Sequence, residues 1–289
     1  MLLTHEHIII HSYVNQFLML PYFGYFAAIL IGLSLGILGG GGSILTVPVL
    51  VYLMCVSPVL STAYSLFVVG ATSTIGALGY LRQGLVSLKT AVVFLIPSLL
   101  AVFAVRKLLL PAIPHELFAL GSIAFTKDIL VLVTFALLMV VAAASMIGSK
   151  QPEHTREVVQ HQRSAFSYAL IMSIGLAVGL LTGFVGAGGG FLIIPALVLG
   201  AGLPMKRAVG TSLLIIALNS LIGFTGDLSI GTPINWPFLL GFLGFALAGI
   251  VLGTYLARHI SGARLKPAFG WFTLTMGAYI LLRELVLTR

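Results

Sequence analysis

The sequence predicts an all-α polytopic membrane protein built from two internal repeats, and three observations carry that expectation. Hydrophobic residues make up 59% of the chain and charged residues only 8%, where soluble domains carry about 25% charged residues. Apolar runs of roughly 20 residues, enough to cross a hydrocarbon core about 30 Å thick, recur along the chain. A shift of 147 residues lays "GLSLGILGGGGSILTVPVLV" (32–51) over "GLLTGFVGAGGGFLIIPALV" (179–198) without a gap. In that register Gly39 meets Gly186, Pro48 meets Pro195, Ser65 meets Ser212, Ser73 meets Ser220 and Gly84 meets Gly231.

Each repeat holds five apolar segments. The first repeat has them near 18–38, 43–55, 61–81, 88–110 and 129–147, the second near 166–185, 190–202, 207–227, 236–257 and 267–287. The chain therefore divides into a first transmembrane repeat (1–147), a hydrophilic linker (148–165, "GSKQPEHTREVVQHQRSA") and a second transmembrane repeat (166–289). The second segment of each repeat is short: about 13 residues of helix reach only about 20 Å. If it crosses, each half has five crossings and the halves are inverted; if it re-enters, each has four and they are parallel. Ten crossings with an outside N-terminus place ten basic residues inside and five outside, whereas eight crossings with an inside N-terminus give seven against eight. The positive-inside rule favours inversion.

Several readings are set aside. The stretch before residue 20 lacks Lys, Arg and a small-residue cleavage site, so it does not read as a removable signal peptide. The net charge of +8 is spread over short gaps between apolar runs, which is a topology signal and no nucleic-acid patch. Cys55, the single cysteine, excludes an intrachain disulfide and reads as a small packing residue. His5, His7 and His11 lack a fourth ligand at metal-site spacing. The glycines are followed by no P-loop Lys-Ser/Thr and lie in no soluble strand-turn-helix unit. No catalytic constellation, metal site or cofactor is expected, and the chain does not read as an enzyme.

Chemistry concentrates at the glycines. Gly39 to Ser43 and Gly186 to Gly190 interrupt apolar segments at equivalent positions. Broken backbone is tolerated at membrane depth only where protein surrounds it or it lines a wet cavity. Paired breaks in related halves are the best sequence pointer to a transporter's binding site. The short helix after each break would present amides without carbonyl partners to an anion. The competing reading, tight helix packing through small residues, suits one glycine pair better than four adjacent glycines matched by "GAGGG" at the equivalent place. Candidate substrate-binding residues are Gly40, Gly41, Gly42 and Ser43 in the first half and Gly188, Gly189 and Gly190 in the second.

The third segments add hydroxyls and amides. Ser65 and Ser73, like Ser212 and Ser220, are eight residues apart and fall near one helical face. Ser65, Thr211, Ser212 and Asn219 join the candidates, with interhelical hydrogen bonding as their alternative role. Asp227 and Arg82 end the two third segments and read first as interfacial caps or anchors. As the only acid near the second core, Asp227 is also the candidate for proton coupling. Lys206 and Arg207 serve equally as anion recruiters or positive-inside anchors.

"GILGGGGSILTVPVL" and "GFVGAGGGFLIIPALVLGAGLPMKRAVGTSLLIIALNSLIG" resemble the sulfite exporter TauE/SafE family of bacterial and archaeal membrane transporters, and the resemblance covers nearly the whole chain. It implies a multi-pass protein of the cytoplasmic membrane that exports a small sulfur-containing anion such as sulfite or an organosulfonate, coupled to an ion gradient, the proton being the expected ion. The first half departs from the pattern, since "SPVLSTAYS" lacks the basic pair and the Thr-Ser of "PMKRAVGTS". The partners expected are this anion, the proton and the lipid bilayer, with self-association into a homo-oligomer left open. Two alternatives stay beside it: an anion-selective channel, and a transporter of an unrelated small organic anion.

Overall fold

The structure, a computed structural model, describes residues 23–114, 116–120, 123–148, 165–186, 188–257 and 262–284. His5, His7, His11 and linker residues 149–164 lie outside these. Among the described residues ten helical segments follow one another: α1 (Phe23–Leu38), α2 (Gly42–Leu53), α3 (Pro58–Arg82), α4 (Leu88–Ala112), α5 (Lys127–Gly148), α6 (Ala165–Val185), α7 (190–200), α8 (Met205–Ser229), α9 (Trp236–Leu256) and α10 (Gly262–Leu282). Six of them, α3, α4, α5, α6, α8 and α9, are long and apolar enough to cross a membrane. The chain is thus a multi-pass helical membrane protein. One element was not expected: an antiparallel hairpin, β1 (Glu116–Leu120) with β2 (Ile123–Thr126), between α4 and α5.

The elements of the two halves keep the 147-residue offset. α3 and α8 both have 25 residues and start at Pro58 and Met205. Inside α2 and α7 a wide π turn occupies Val49–Leu53 and Ala196–Gly200. Each π turn directly follows a proline, Pro48 or Pro195. Proline removes one ladder hydrogen bond, and a membrane helix re-satisfies the freed groups through such local widening.

The turn after α2 corrects the reading of Cys55. Its thiol is exposed, and its backbone is left-handed with φ of 54°. At the equivalent place after α7, Gly202 has φ of +63°. A chain leaving a π turn toward the next helix needs a left-handed residue there, which costs an L residue roughly 1–2 kcal/mol and glycine nothing. Cys55→Gly is therefore expected to stabilise the purified protein by up to about 1 kcal/mol, the remainder going to the greater flexibility of glycine in the unfolded chain. Denaturation in detergent would measure it, and a loss of stability would show that the turn does not need this geometry.

α3 and α8 pack against each other along their length and are the most enclosed of the long helices. They run antiparallel: Leu66 fills the space beside Gly223, Leu221 that beside Gly70, and Leu213 that beside Gly76. α4 packs on α6 in parallel, with Gly175, Gly179 and Gly183 against Phe94, Ser98 and Val102. α1 and α9 meet in the same way, Gly249 and Gly253 lying against the backbone at Ile29 and Leu33. α5 pairs with α10. Leu38, Ile44, Phe135, Met139 and Ile280 form a core at that pair, while Ile193, Leu197, Ile215 and Ile216 belong to the one between α7 and α8.

Candidate functional site

The two glycine breaks meet in the middle of this arrangement. Gly40 and Gly190 touch backbone to backbone, and a Cβ on either would strike the Cα of the other. The breaks differ in form. In the first break only Gly39 is left-handed (φ +67°), and the chain then tightens at once into a 3-10 turn over Gly39–Leu45. In the second half Gly186, Gly188 and Gly189 are all left-handed. The open stretch of free amides expected at Gly39 to Ser43 is thus mostly taken up by short-range helical bonds, and Gly40 and Gly190 close the space directly between the breaks. The candidate site lies on the flanks of the crossing.

The predicted residues sort themselves around it. Gly42 packs on α1 at Ser34 and Leu35, and Gly189 packs at the equivalent place on Thr182 of α6. Gly41 lies within the 3-10 turn. The Ser43 hydroxyl donates to the Gly40 carbonyl at 2.7 Å. Gly39 faces the Ser212 hydroxyl, which donates to Val209 O at 2.8 Å. Gly188 faces the Ser220 hydroxyl, between Val69 and Ile216. Asn219 donates its amide to Ser98 Oγ at 2.6 Å.

Among the described residues, the buried oxygens Ser65 Oγ, Ser73 Oγ, Ser220 Oγ and Asn219 Oδ1 meet no hydrogen-bond partner. A buried polar group without a partner costs about 1–3 kcal/mol, so these four on α3 and α8 call for a ligand or water.

Thr211 does not belong to this group. Its oxygen accepts from Ser87 N at 2.9 Å, anchoring the chain that starts α4. The equivalent residue, Tyr64, accepts from Asn235 N at 2.8 Å at the start of α9. The position serves helix entry in both halves, a structural role for Thr211 that leaves its hydroxyl proton free of that bond. Lys206, Arg207 and Arg82 are at helix ends and largely exposed.

Asp227 is no interfacial cap. It is 3% exposed and pairs with Arg106, Nη1 to Oδ2 at 3.2 Å, the guanidinium being fully buried. Arg106 Nη1 also donates to Thr62 Oγ1 at 2.9 Å, and that hydroxyl donates its own proton to Val59 O at 2.7 Å. Arg106 sits in a third π turn, Val105–Leu109, one turn before Pro111. The stem rests on Gly226, and Nη2 faces Gly186 so closely that a side chain there would collide with it and with Thr62. Lys127, donating to Leu110 O, adds charge within electrostatic reach of both members of the pair.

Arg106 is the functional candidate that the sequence reading missed, because its charge was counted as a loop signal. Its signal was present: a charge inside the apolar stretch 88–110 marks function by default. The 147-residue offset puts Gly253 opposite Arg106 and Tyr80 opposite Asp227, so the ion pair has no counterpart at the equivalent positions.

Comparison with known proteins agrees with this architecture. The model of the family described as sulfite exporter TauE/SafE matches residues 25–280. A "Probable membrane transporter protein" of Xylella fastidiosa (strain Temecula1) is 29% identical over 259 residues, 88% of this chain and 92% of that protein. The "Probable membrane transporter protein YunE" of Bacillus subtilis is 28% identical over 247 residues, covering 80% of this chain and 88% of the relative. The archaeal "Probable membrane transporter protein MJ0441" of Methanocaldococcus jannaschii is 33% identical over 118 residues, 38% of this chain and 43% of that protein. No solved structure gives a significant match. With paired glycine breaks crossing in the middle of a helical membrane protein, and a family match running from α1 through α10, the chain belongs to the sulfite exporter TauE/SafE family of membrane transporters.

Proposed function

We propose that this protein is a secondary transporter that exports a small sulfur-containing anion, sulfite or an organosulfonate, across the cytoplasmic membrane in exchange for protons. The observation that carries the reading is the set of buried, unpartnered oxygens on α3 and α8, of which Ser220 Oγ faces Gly188 of the second break. Hydroxyls at Ser65, Ser73 and Ser220 suit the oxygens of such an anion, since each can donate one proton. Family membership supports the anion class. Asp227 is the proton carrier in this scheme, facing Arg106 from α4, Thr62 from α3 and the Lys127 charge from α5.

In the same proposal the two halves, 1–147 and 166–289, are inverted and cross ten times. The antiparallel contact of the equivalent helices α3 and α8 supports this, because a two-fold axis in the membrane plane relates antiparallel partners. α1 runs parallel to α9, and successive long helices joined by short turns reverse direction. It follows that α1 and α3 run the same way and α2 must return the chain across. Cysteines introduced into the 83–87 turn and the equivalent 231–234 turn after α8, in a Cys55→Gly background, should be labelled from opposite sides of the membrane. Labelling of both from the same side would end the ten-crossing scheme.

The cargo is tested in liposomes. Purified protein is expected to move sulfite or a sulfonate with saturable kinetics under an imposed proton gradient; no movement of any sulfur anion would refute the substrate, and flux that fails to saturate would favour a channel. Ser65→Ala and Ser220→Ala give a sharper reading. Each hydroxyl lacks a partner at rest, so its removal should leave stability unchanged or slightly higher, while a hydrogen bond to cargo worth about 0.5–1.5 kcal/mol is lost. That corresponds to a KM raised by about 2- to 10-fold. Lower stability with unchanged KM would return these serines to packing.

A further inference from the structure

We propose that Arg106 is an oxyanion-binding residue of this transporter, its free edge taking two oxygens of the anion at one end of the glycine crossing. The inference rests on the anion-transport reading for its biological meaning, but its geometry stands alone. A guanidinium offers five N–H groups in a rigid planar fork. Asp227 and Thr62 occupy one corner, both bonding Nη1. Among the described residues, Nε and Nη2 have no partner, and the residue is fully buried.

Those two nitrogens form a single edge, with N–H bonds pointing the same way. This is the edge that grips a carboxylate, phosphate or sulfonate bidentately. A structural ion pair of ordinary design would put Asp227 on it with two parallel bonds. Here the carboxylate is held at the corner, Nη1 reaching its oxygens at 3.2 and 3.4 Å, and the better edge is left vacant.

The vacant edge faces the second break. Nη2 packs so closely against Gly186 that a side chain there would strike it and Thr62, and the anion takes the edge when this glycine draws back. Gly186, Gly188 and Gly189 are the left-handed residues of that break, so the segment most able to change its path borders the fork. Arg106 also sits in a π turn, a local widening that recurs at functional sites. The ligand class is a small anion with two oxygens on one atom: a sulfonate, sulfite or a carboxylate. Asp227 balances the charge while the fork is empty, and Thr62 holds the guanidinium plane. The equivalent position in the second half is Gly253, so the fork has no counterpart there.

The test is thermal stability of the detergent-purified protein with sulfite, methanesulfonate, acetate or chloride as sodium salts, followed by the same series on Arg106→Lys and on Arg106→Met/Asp227→Leu. A ligand of the native state raises stability in proportion to its saturation. Wild type should be stabilised by at least one oxyanion over chloride. Arg106→Lys, which keeps the charge and the pairing with Asp227, should fold as wild type yet bind that anion at least tenfold more weakly. The double variant should be folded and insensitive. Equal oxyanion stabilisation of wild type and Arg106→Lys would overturn the assignment, as would no oxyanion effect on wild type. A wild type stabilised by oxyanions through Arg106 that moves no sulfur anion in liposomes would keep the site and sink only the proposed cargo.

Discussion

Gly190→Ala is expected to prevent the protein from reaching its native fold, and Gly40→Ala to do the same. The new methyl group would strike the Cα of the opposing glycine in either case. Overpacking of a core by a methylene costs about 1–3 kcal/mol when neighbouring side chains can move aside. Here the obstacle is backbone on both sides, and the chain cannot swing to another rotamer. The effect should therefore exceed that range and appear as loss of monodisperse protein after extraction. Gly79→Ala is the control, because nothing lies within 4 Å of the position its Cβ would take, and it should be neutral or slightly stabilising given the better helix propensity of alanine. A well-folded Gly190→Ala protein would mean that the two breaks do not cross in contact.

Asp227→Ala should destabilise the protein by about 3–5 kcal/mol, the usual result of leaving one member of a buried ion pair without its partner. Arg106 would then be a fully buried cation with Thr62 as its remaining partner. Replacing both charges, Arg106→Met with Asp227→Leu, should recover most of the loss, since a well-packed apolar pair of similar volume is often as stable as the ions it replaces. A double-mutant cycle in denaturant measures the coupling. Additive single and double effects would show that the two side chains do not act as a pair. Added oxyanion should restore part of the stability of Asp227→Ala, because it returns negative charge to the guanidinium.

Much of the architecture was legible before any coordinates. The hydrophobic runs located ten segments whose limits agree with the helices to within a few residues, from 61–81 against Pro58–Arg82 to 236–257 against Trp236–Leu256. A helix buried in lipid must satisfy its own backbone, so apolar length alone is enough to find it. The hairpin at 116–126 was missed because its strands are too short to rise above loop composition, although the Gly121-Ser122 dipeptide between them is a hairpin signal. The thiol of Cys55 was misplaced because free cysteines are usually buried, and the left-handed turn that exposes it follows from the π turn before it.

The site was legible in its parts only. Glycine breaks and serine stripes can be read from composition and spacing, and Ser65, Ser220 and Asn219 do lie buried. Thr211 looked the same in sequence as Ser212, yet one residue of rotation turns its hydroxyl to Ser87. Arg106 and Asp227 are separated by 121 positions, and nothing local in either stretch announces the other.

By itself the sequence determined that this is a membrane protein whose apolar segments are broken by glycines at two places 147 residues apart, because hydrophobic length and matching residues are properties of the chain read in order. Only the tertiary structure decided that the breaks meet at Gly40 and Gly190, that the space directly between them is closed, and that Arg106 packs an edge without hydrogen-bond partners against Gly186. The physical reason is that pairing and crossing depend on which helix faces meet. Those faces are selected by packing between segments distant in sequence, where one side chain's position decides whether its neighbour is a lipid, a carbonyl or a charge.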